Sequence, residues 1–166
     1  MRPNLQALGV AGFKIPQWEV YHGRVVPGPE YQRLSIATYA THDHKPLRQL
    51  WEEAMEKPTS TSDQARQELN KIAEFARFQP QRESVDFEQD FYPAIMEALF
   101  ACESWIAVVM ITDLLKRKYR FNVPGTAASS NWTRRMQRSI AQLGRSRSVQ
   151  RQTRLIRELL ERSGRA

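Results

Sequence analysis

The sequence predicts an α/β architecture with parallel strands, and three observations carry that expectation. Three apolar segments of strand length, residues 13–18, 34–40 and 105–111, are spread along the chain. Amphipathic stretches with helical spacing lie between the second and the third. The third is a continuous apolar run, the pattern of a strand covered on both faces in a parallel sheet. Strands separated by helices or long connections pair in parallel. Three strands alone leave two open hydrogen-bonding edges, so the chain reads as part of something larger.

Each element has a local reason. Residues 2–8 read as a helix end, with Leu5 and Leu8 three apart and Gly9 placed to stop it. The first strand, 13–18, enters a stretch, 23–29, whose two Gly and two Pro make it a loop. The second strand, 34–40, runs into Thr41, His42, Asp43 and His44. Pro46 suits the first turn of a helix with Leu47, Leu50, Trp51 and Ala54 on one face. A linker, 58–62, ends in Ser62, which can cap a helix over 63–78 that turns Ala65, Leu69, Ile72, Ala73 and Ala76 inward. A further helix is expected over 86–101, with Ile95, Leu99 and Phe100 inward. The third strand, 105–111, ends in Thr112 and Asp113, and Asp113 is placed to cap a short helix at 114–118. An irregular stretch, 120–132, precedes two Arg-rich helical segments at 133–143 and 148–162.

At 166 residues the chain has the size of one domain. No apolar run approaches the roughly 18 residues of a membrane span. Met1 is followed by Arg, Pro and Asn with no apolar stretch behind, so no signal peptide is expected. The single cysteine, Cys102, sits in an apolar helical stretch and reads as a buried structural thiol. These features suit the cytoplasm. The net charge of +7 is unevenly placed. Residues 1–116 hold 12 Lys/Arg against 16 Asp/Glu, whereas residues 117–166 hold 13 against 2. The chain therefore divides into a body, 1–143, and an Arg-rich helical tail, 144–166.

The motif with most chemical content is Thr41-His42-Asp43-His44. In barrels of alternating strands and helices, polar residues at the C-terminal end of a strand build the active site. A His beside an Asp there offers one substrate both a charge and a hydrogen bond. The plain alternative is that Asp43 caps the following helix. Asp113 has the same two readings. In the loop 121–126, Pro124 and Gly125 fix a tight turn, and Asn122 and Thr126 can face a polyol or simply hold that turn. No Gly-rich phosphate loop and no Cys/His zinc spacing occurs, so neither a cofactor nor a metal is expected. Glu52, Glu53 and Glu56 share one helix and read as a solvated face. Trp18, Trp132 and Tyr39 can stack on sugars or belong to the core. The tail arginines read as the polar face of an amphipathic helix whose Leu155, Ile156, Leu159 and Leu160 pack inward. Nucleic-acid binding is the rival reading, and it lacks aromatic interleaving and a recognised motif.

Four segments in order resemble the 4-alpha-glucanotransferases, glycoside hydrolase family 77. They are Leu-Gly-Val-Ala-Gly-Phe-Lys-Ile-Pro-Gln-Trp at 8–18, Ala-Thr-His-Asp at 40–43, Ile-Thr-Asp-Leu-Leu at 111–115, and Phe-Asn-Val-Pro-Gly-Thr through Asn-Trp-Thr-Arg-Arg at 121–135. The resemblance implies the last three strand–helix units of a (β/α)8 barrel. It also implies an enzyme acting on malto-oligosaccharides or α-glucans, cutting an α-1,4-glucan and transferring the freed piece. It assigns Asp43 the role of transition-state-stabilising carboxylate, and His42 and Asn122 contacts to the same sugar. Three departures mark a subgroup: His44 where the family often has Asn, Thr112 where it often has Gln, and Pro16 and Trp18 where Leu and Phe are usual. The family's nucleophile and acid/base carboxylates precede the segment matching 8–18, and no residue here matches either. The isolated chain is therefore expected to be inactive, with the N-terminal barrel half as its missing partner; the alternative is a non-catalytic carbohydrate-binding or interaction module.

Overall fold

The computed structural model describes residues 7–79, 85–127 and 129–165. The helix expected at 2–8 falls mostly outside them; Gly9, its expected stop, has φ +69°. The sheet is parallel, as the spacing of strands and helices predicts. Strands β1 (Gly12–Lys14), β4 (Ser35–Ala37) and β5 (Ile106–Ala107) lie in the order β1-β4-β5. Phe13, Ile36 and Ile106 are register partners and so share one face.

All three strands are shorter than the apolar runs. After β1 the chain turns at 15–18 and forms a hairpin, β2 (Val20–Tyr21) with β3 (Arg24–Val25), inside the stretch expected to be mostly loop. A 3-10 turn, Gly28–Glu30, follows. Gly28 lies against Cys102: a Cβ added there would sit 2.8 Å from the Cys102 Cβ. Cys102 itself is buried, as expected. The run 105–111 is strand only at its start, because Ile111 opens a helix, α4 (Ile111–Leu114). Nor is that strand covered on both faces, since Ile106 and Val108 are exposed.

The helices α1 (Leu47–Met55), α2 (Ser60–Phe75) and α3 (Tyr92–Phe100) connect β4 to β5 and hold most of the core. Helix α2 begins earlier than its apolar face suggests. Its cap is Thr59, whose hydroxyl accepts the Ser62 N–H at 3.2 Å while the Ser62 hydroxyl accepts the Thr59 N–H at 2.8 Å. Ser62 is thus the third helical residue of a reciprocal capping pair rather than the cap. A single π turn, Phe87–Phe91, precedes α3, and the Asp86 carboxylate caps it on Glu88 and Gln89. Glu52 and Glu53 on α1 are paired rather than merely solvated: Glu52 with Arg48 and Lys118, Glu53 with Lys45.

The Arg-rich segment 133–143 is mostly irregular, with a short helix α5 (Ile140–Gly144) at its end. Helix α6 (Arg147–Ser163) is amphipathic as its spacing predicts. It packs on α3, with Leu159 fully buried and Leu155, Ile156 and Leu160 half-buried beside it. Arg165, just past its end, donates to the carbonyls of Phe100, Cys102 and Ser104 and ties the tail to the turn before β5. Among the described residues no helix is long and apolar enough to cross a membrane.

Candidate active site

Parallel strands bring the segments after β1, β4 and β5 to one end of the sheet. After β1, Gln17 donates its side-chain N–H to the Tyr39 carbonyl at 2.8 Å, tying the end of β1 to the end of β4. Lys14 and Glu19 form a buried ion pair at 3.0 Å beneath that turn. After β4 the chain makes a tight turn in which the His44 N–H donates to the Thr41 carbonyl at 3.1 Å. The turn carries His42 and Asp43 outward and His44 inward.

Asp43 does not cap α1. The first N–H of that helix, Leu47, donates to Asp113 Oδ1 at 2.7 Å. Pro46, at the cap position, offers no side-chain acceptor. Asp113 therefore caps a helix 66 residues back in the sequence; it lies inside α4 itself, and the short helix expected at 114–118 is absent, since α4 ends at Leu114. It is buried at 3 % exposure, and burial pushes its carboxyl up to about 7 against the pull of the Leu47 N–H.

Relieved of capping, the Asp43 carboxylate faces other groups. Oδ1 accepts from Asn122 Nδ2 at 2.6 Å, and Oδ2 lies 3.4 Å from His42 Nε2. The Asp43 and His42 side chains are 44 % and 51 % exposed, so both remain open to a ligand. Arg120 donates to the Asp43 backbone carbonyl and anchors the turn from below. The three residues singled out from the sequence, His42, Asp43 and Asn122, thus form one cluster. Thr126 does not join it: its hydroxyl donates to the Val123 carbonyl at 2.8 Å and holds the turn. Asn131 completes that turn, accepting the Val123 N–H at 3.1 Å and donating to the Thr126 carbonyl at 3.0 Å.

Two tryptophans flank the cluster. Trp132 packs on His42 with ring centroids 4.9 Å apart, and Trp18 packs on His44 at 4.6 Å, each pair of rings tilted. Both indoles are exposed, at 58 % and 63 %, whereas Tyr39 belongs to the core at 3 %. Trp132 has φ +64°, a left-handed conformation held by its N–H bond to the Phe121 carbonyl at 2.8 Å. His44 accepts the Thr41 N–H on Nδ1 at 3.1 Å, which leaves the proton on Nε2. Burial lowers its pKa; Asp43 pulls it up, and Arg120 and His42 push it further down. Arg120 escaped the reading of the sequence, although its place two residues before Asn122 in the same segment was the available signal. The exposure of Trp18 and Trp132 had no local signal. Among the described residues no group of His, Cys, Asp and Glu side chains is arranged to hold a metal.

The family model described as 4-alpha-glucanotransferase matches residues 1–141. A 4-alpha-glucanotransferase of Chlamydia muridarum is 29% identical over 156 residues, covering 86% of this chain and 27% of that relative. The Chlamydia caviae protein is 28% identical over 158 residues, with the same two shares. The chain therefore spans about a quarter of the length of the curated relatives it matches. Among solved structures, the amylomaltase from Streptococcus agalactiae in complex with acarbose superposes with a TM-score of 0.65 at 21% identity, covering 99% of this chain and 29% of that one. The amylomaltase from Corynebacterium glutamicum does so with a TM-score of 0.58 at 20% identity, covering 79% and 22%. These two structures share its fold. With the family model matched over residues 1–141, the chain belongs to the 4-alpha-glucanotransferase family, glycoside hydrolase family 77.

Proposed function

We propose that this chain is the C-terminal part of a 4-alpha-glucanotransferase, the last three strand–helix units of a (β/α)8 barrel. Its substrates are malto-oligosaccharides or α-glucans, and its reaction is transfer of α-1,4-glucan segments between them. The observation that carries the reading is Asp43. It is a half-exposed carboxylate beyond the central strand β4, free of helix capping and oriented by Asn122.

Cleavage of a glycosidic bond builds positive charge on the sugar ring. A carboxylate already held in place stabilises that charge without reorganising. Asn122 occupies one Asp43 oxygen and sets the plane of the group. The other oxygen, beside His42, is left for the sugar hydroxyls. A retaining transfer also needs a nucleophile and an acid/base carboxylate about 5–5.5 Å apart. Both are assigned to the segment that the relatives possess and this chain does not span. That segment is the proposed partner. The open sheet supports it: β1 and β5 are edge strands, and Phe13 and Ile106 stand exposed on the face they share with Ile36.

The test is initial-rate kinetics on maltotriose with the chain co-expressed with the N-terminal three quarters of a family member. Asp43→Asn keeps the shape and one acceptor but removes the charge. Turnover should fall about a hundredfold to a thousandfold, or about 3–4 kcal/mol, with a far smaller change in KM. Asn122→Ala removes a neutral donor and should cost about 0.5–1.5 kcal/mol. Near-wild-type turnover for Asp43→Asn, or a loss of affinity alone, would remove Asp43 from the transition state.

A further inference from the structure

Cations from the segment after α4, from the irregular stretch before α5 and from α6 converge on a cleft. A cavity of about 370 Å³ opens between the segment after α4 and the first turns of α6, lined by Lys116, Arg117, Arg138, Ser148 and Arg151. A second cavity of about 270 Å³ shares Arg117 and Arg138 with it and adds Arg134 and Arg135. Among the described residues, six cations thus line the two cavities against one carboxylate, Glu88, on the rim of the larger. Glu88 is already engaged by Lys116 and, at 3.3 Å, by Arg48. Among the described residues, Arg117, Arg134, Arg138 and Arg151 have no carboxylate within ion-pair distance. None of His42, Asp43 or Asn122 lines either cavity.

Like charges gathered in a concave surface repel one another and concentrate a positive potential. A carboxylate or a phosphate relieves that repulsion, and phosphate matches the guanidinium fork best. Helix α6 adds to the field. It is 17 residues long, its first turn lines the cleft through Ser148 and Val149, and its N-terminal end is positive. The cap residue Ser146 makes no side-chain cap bond; its hydroxyl meets that of Ser148 at 2.9 Å. If the chain closes a barrel as proposed above, this is also where such barrels hold phosphate, at the loops after the last strands and an adjoining helix N-terminus. The clustering of cations is independent of that closure.

We propose that this cleft is a binding site for a small phosphate-bearing anion, held between Arg117, Arg138 and Arg151. The larger cavity has room for a phosphorylated monosaccharide. Inorganic phosphate and sugar phosphate share the chemistry, and separate titrations distinguish them.

The test is calorimetry and thermal melting of the full 166-residue chain with inorganic phosphate and with glucose 6-phosphate, chloride holding the ionic strength constant. Saturable one-to-one binding is expected, with a melting temperature that rises and then levels as the site fills. Tighter binding of glucose 6-phosphate than of phosphate assigns the site to the sugar ester; equal binding assigns it to the free ion. R138Q/R151Q should weaken binding about tenfold or more. The single change Arg117→Gln should weaken it too, and serves alone if the double variant does not fold. Arg154→Gln, on the same helix outside both cavities, should leave binding unchanged. Absence of saturation, an equal response to chloride, or an equal loss in Arg154→Gln would overturn the proposal. So would tighter, steeply salt-dependent binding of an oligonucleotide. The readout is binding rather than glucan transfer, so its failure leaves the reading of Asp43 intact.

Discussion

Asp113 is asked to do two opposed things, and the balance can be measured. As the cap of α1 it favours its charged form, because the Leu47 N–H and the positive helix end pull on the carboxylate. As a residue 3 % exposed it favours its neutral form. Burial prevails, and the carboxyl moves from 3.8 to about 7. Between those two values the folded chain holds a proton that the unfolded chain does not. The stabilisation is therefore complete below the unfolded pKa and drains away as pH rises through the folded one. At about 1.36 kcal/mol per unit, some 3 kcal/mol should disappear between about pH 4.5 and about pH 8. Asp113→Asn removes this dependence and keeps an oxygen for Leu47. The assay is urea unfolding of both proteins at those two pH values. The variant should gain about 3 kcal/mol on wild type across the interval, whatever its fixed cost. His44, whose lowered pKa makes stability fall as pH drops below about 6.5, is present in both proteins and cancels in the difference. Parallel responses of wild type and variant would refute the reasoning: the cap would then outweigh burial, and Asp113 would be ionised throughout.

Gly28→Ala should destabilise the chain by about 1–3 kcal/mol in chemical unfolding, because the new methyl meets Cys102 at 2.8 Å and the backbone must shift. Leu159→Ala should cost about 2–5 kcal/mol, since it opens a cavity where α6 meets the core; a change below about 0.5 kcal/mol would mean that the tail is not docked in solution. The purified chain should release no glucose from maltotriose above a blank. On a sizing column it should self-associate through the open sheet face of Phe13 and Ile106; a sharply unfolding monomer would count against an incomplete barrel.

Local pattern determined much of this protein. The spacing of Leu47, Leu50, Trp51 and Ala54 marks α1, and that of Leu155, Ile156, Leu159 and Leu160 marks the inward face of α6, because helical periodicity is written within a few residues. The apolar run 34–40 marks the central strand, and the polar motif after it marks the candidate site. What the pattern could not contain is which distant group completes each local one. Thr41-His42-Asp43-His44 has the sequence of a helix cap, and only the fold, by bringing Asp113 to Leu47, releases Asp43 from that duty. The 2.6 Å contact between Asp43 and Asn122 spans 79 residues and depends on the parallel register of β4 and β5. Residues 105–111 are apolar enough for a strand buried on both faces. Their length as strand and the exposure of Ile106 are instead decided by what stands beside them: β5 is an edge, and among the described residues Phe13 and Ile106 stay exposed on the face they share. Periodicity records which side of an element is apolar; the tertiary structure decides whether that side has a partner.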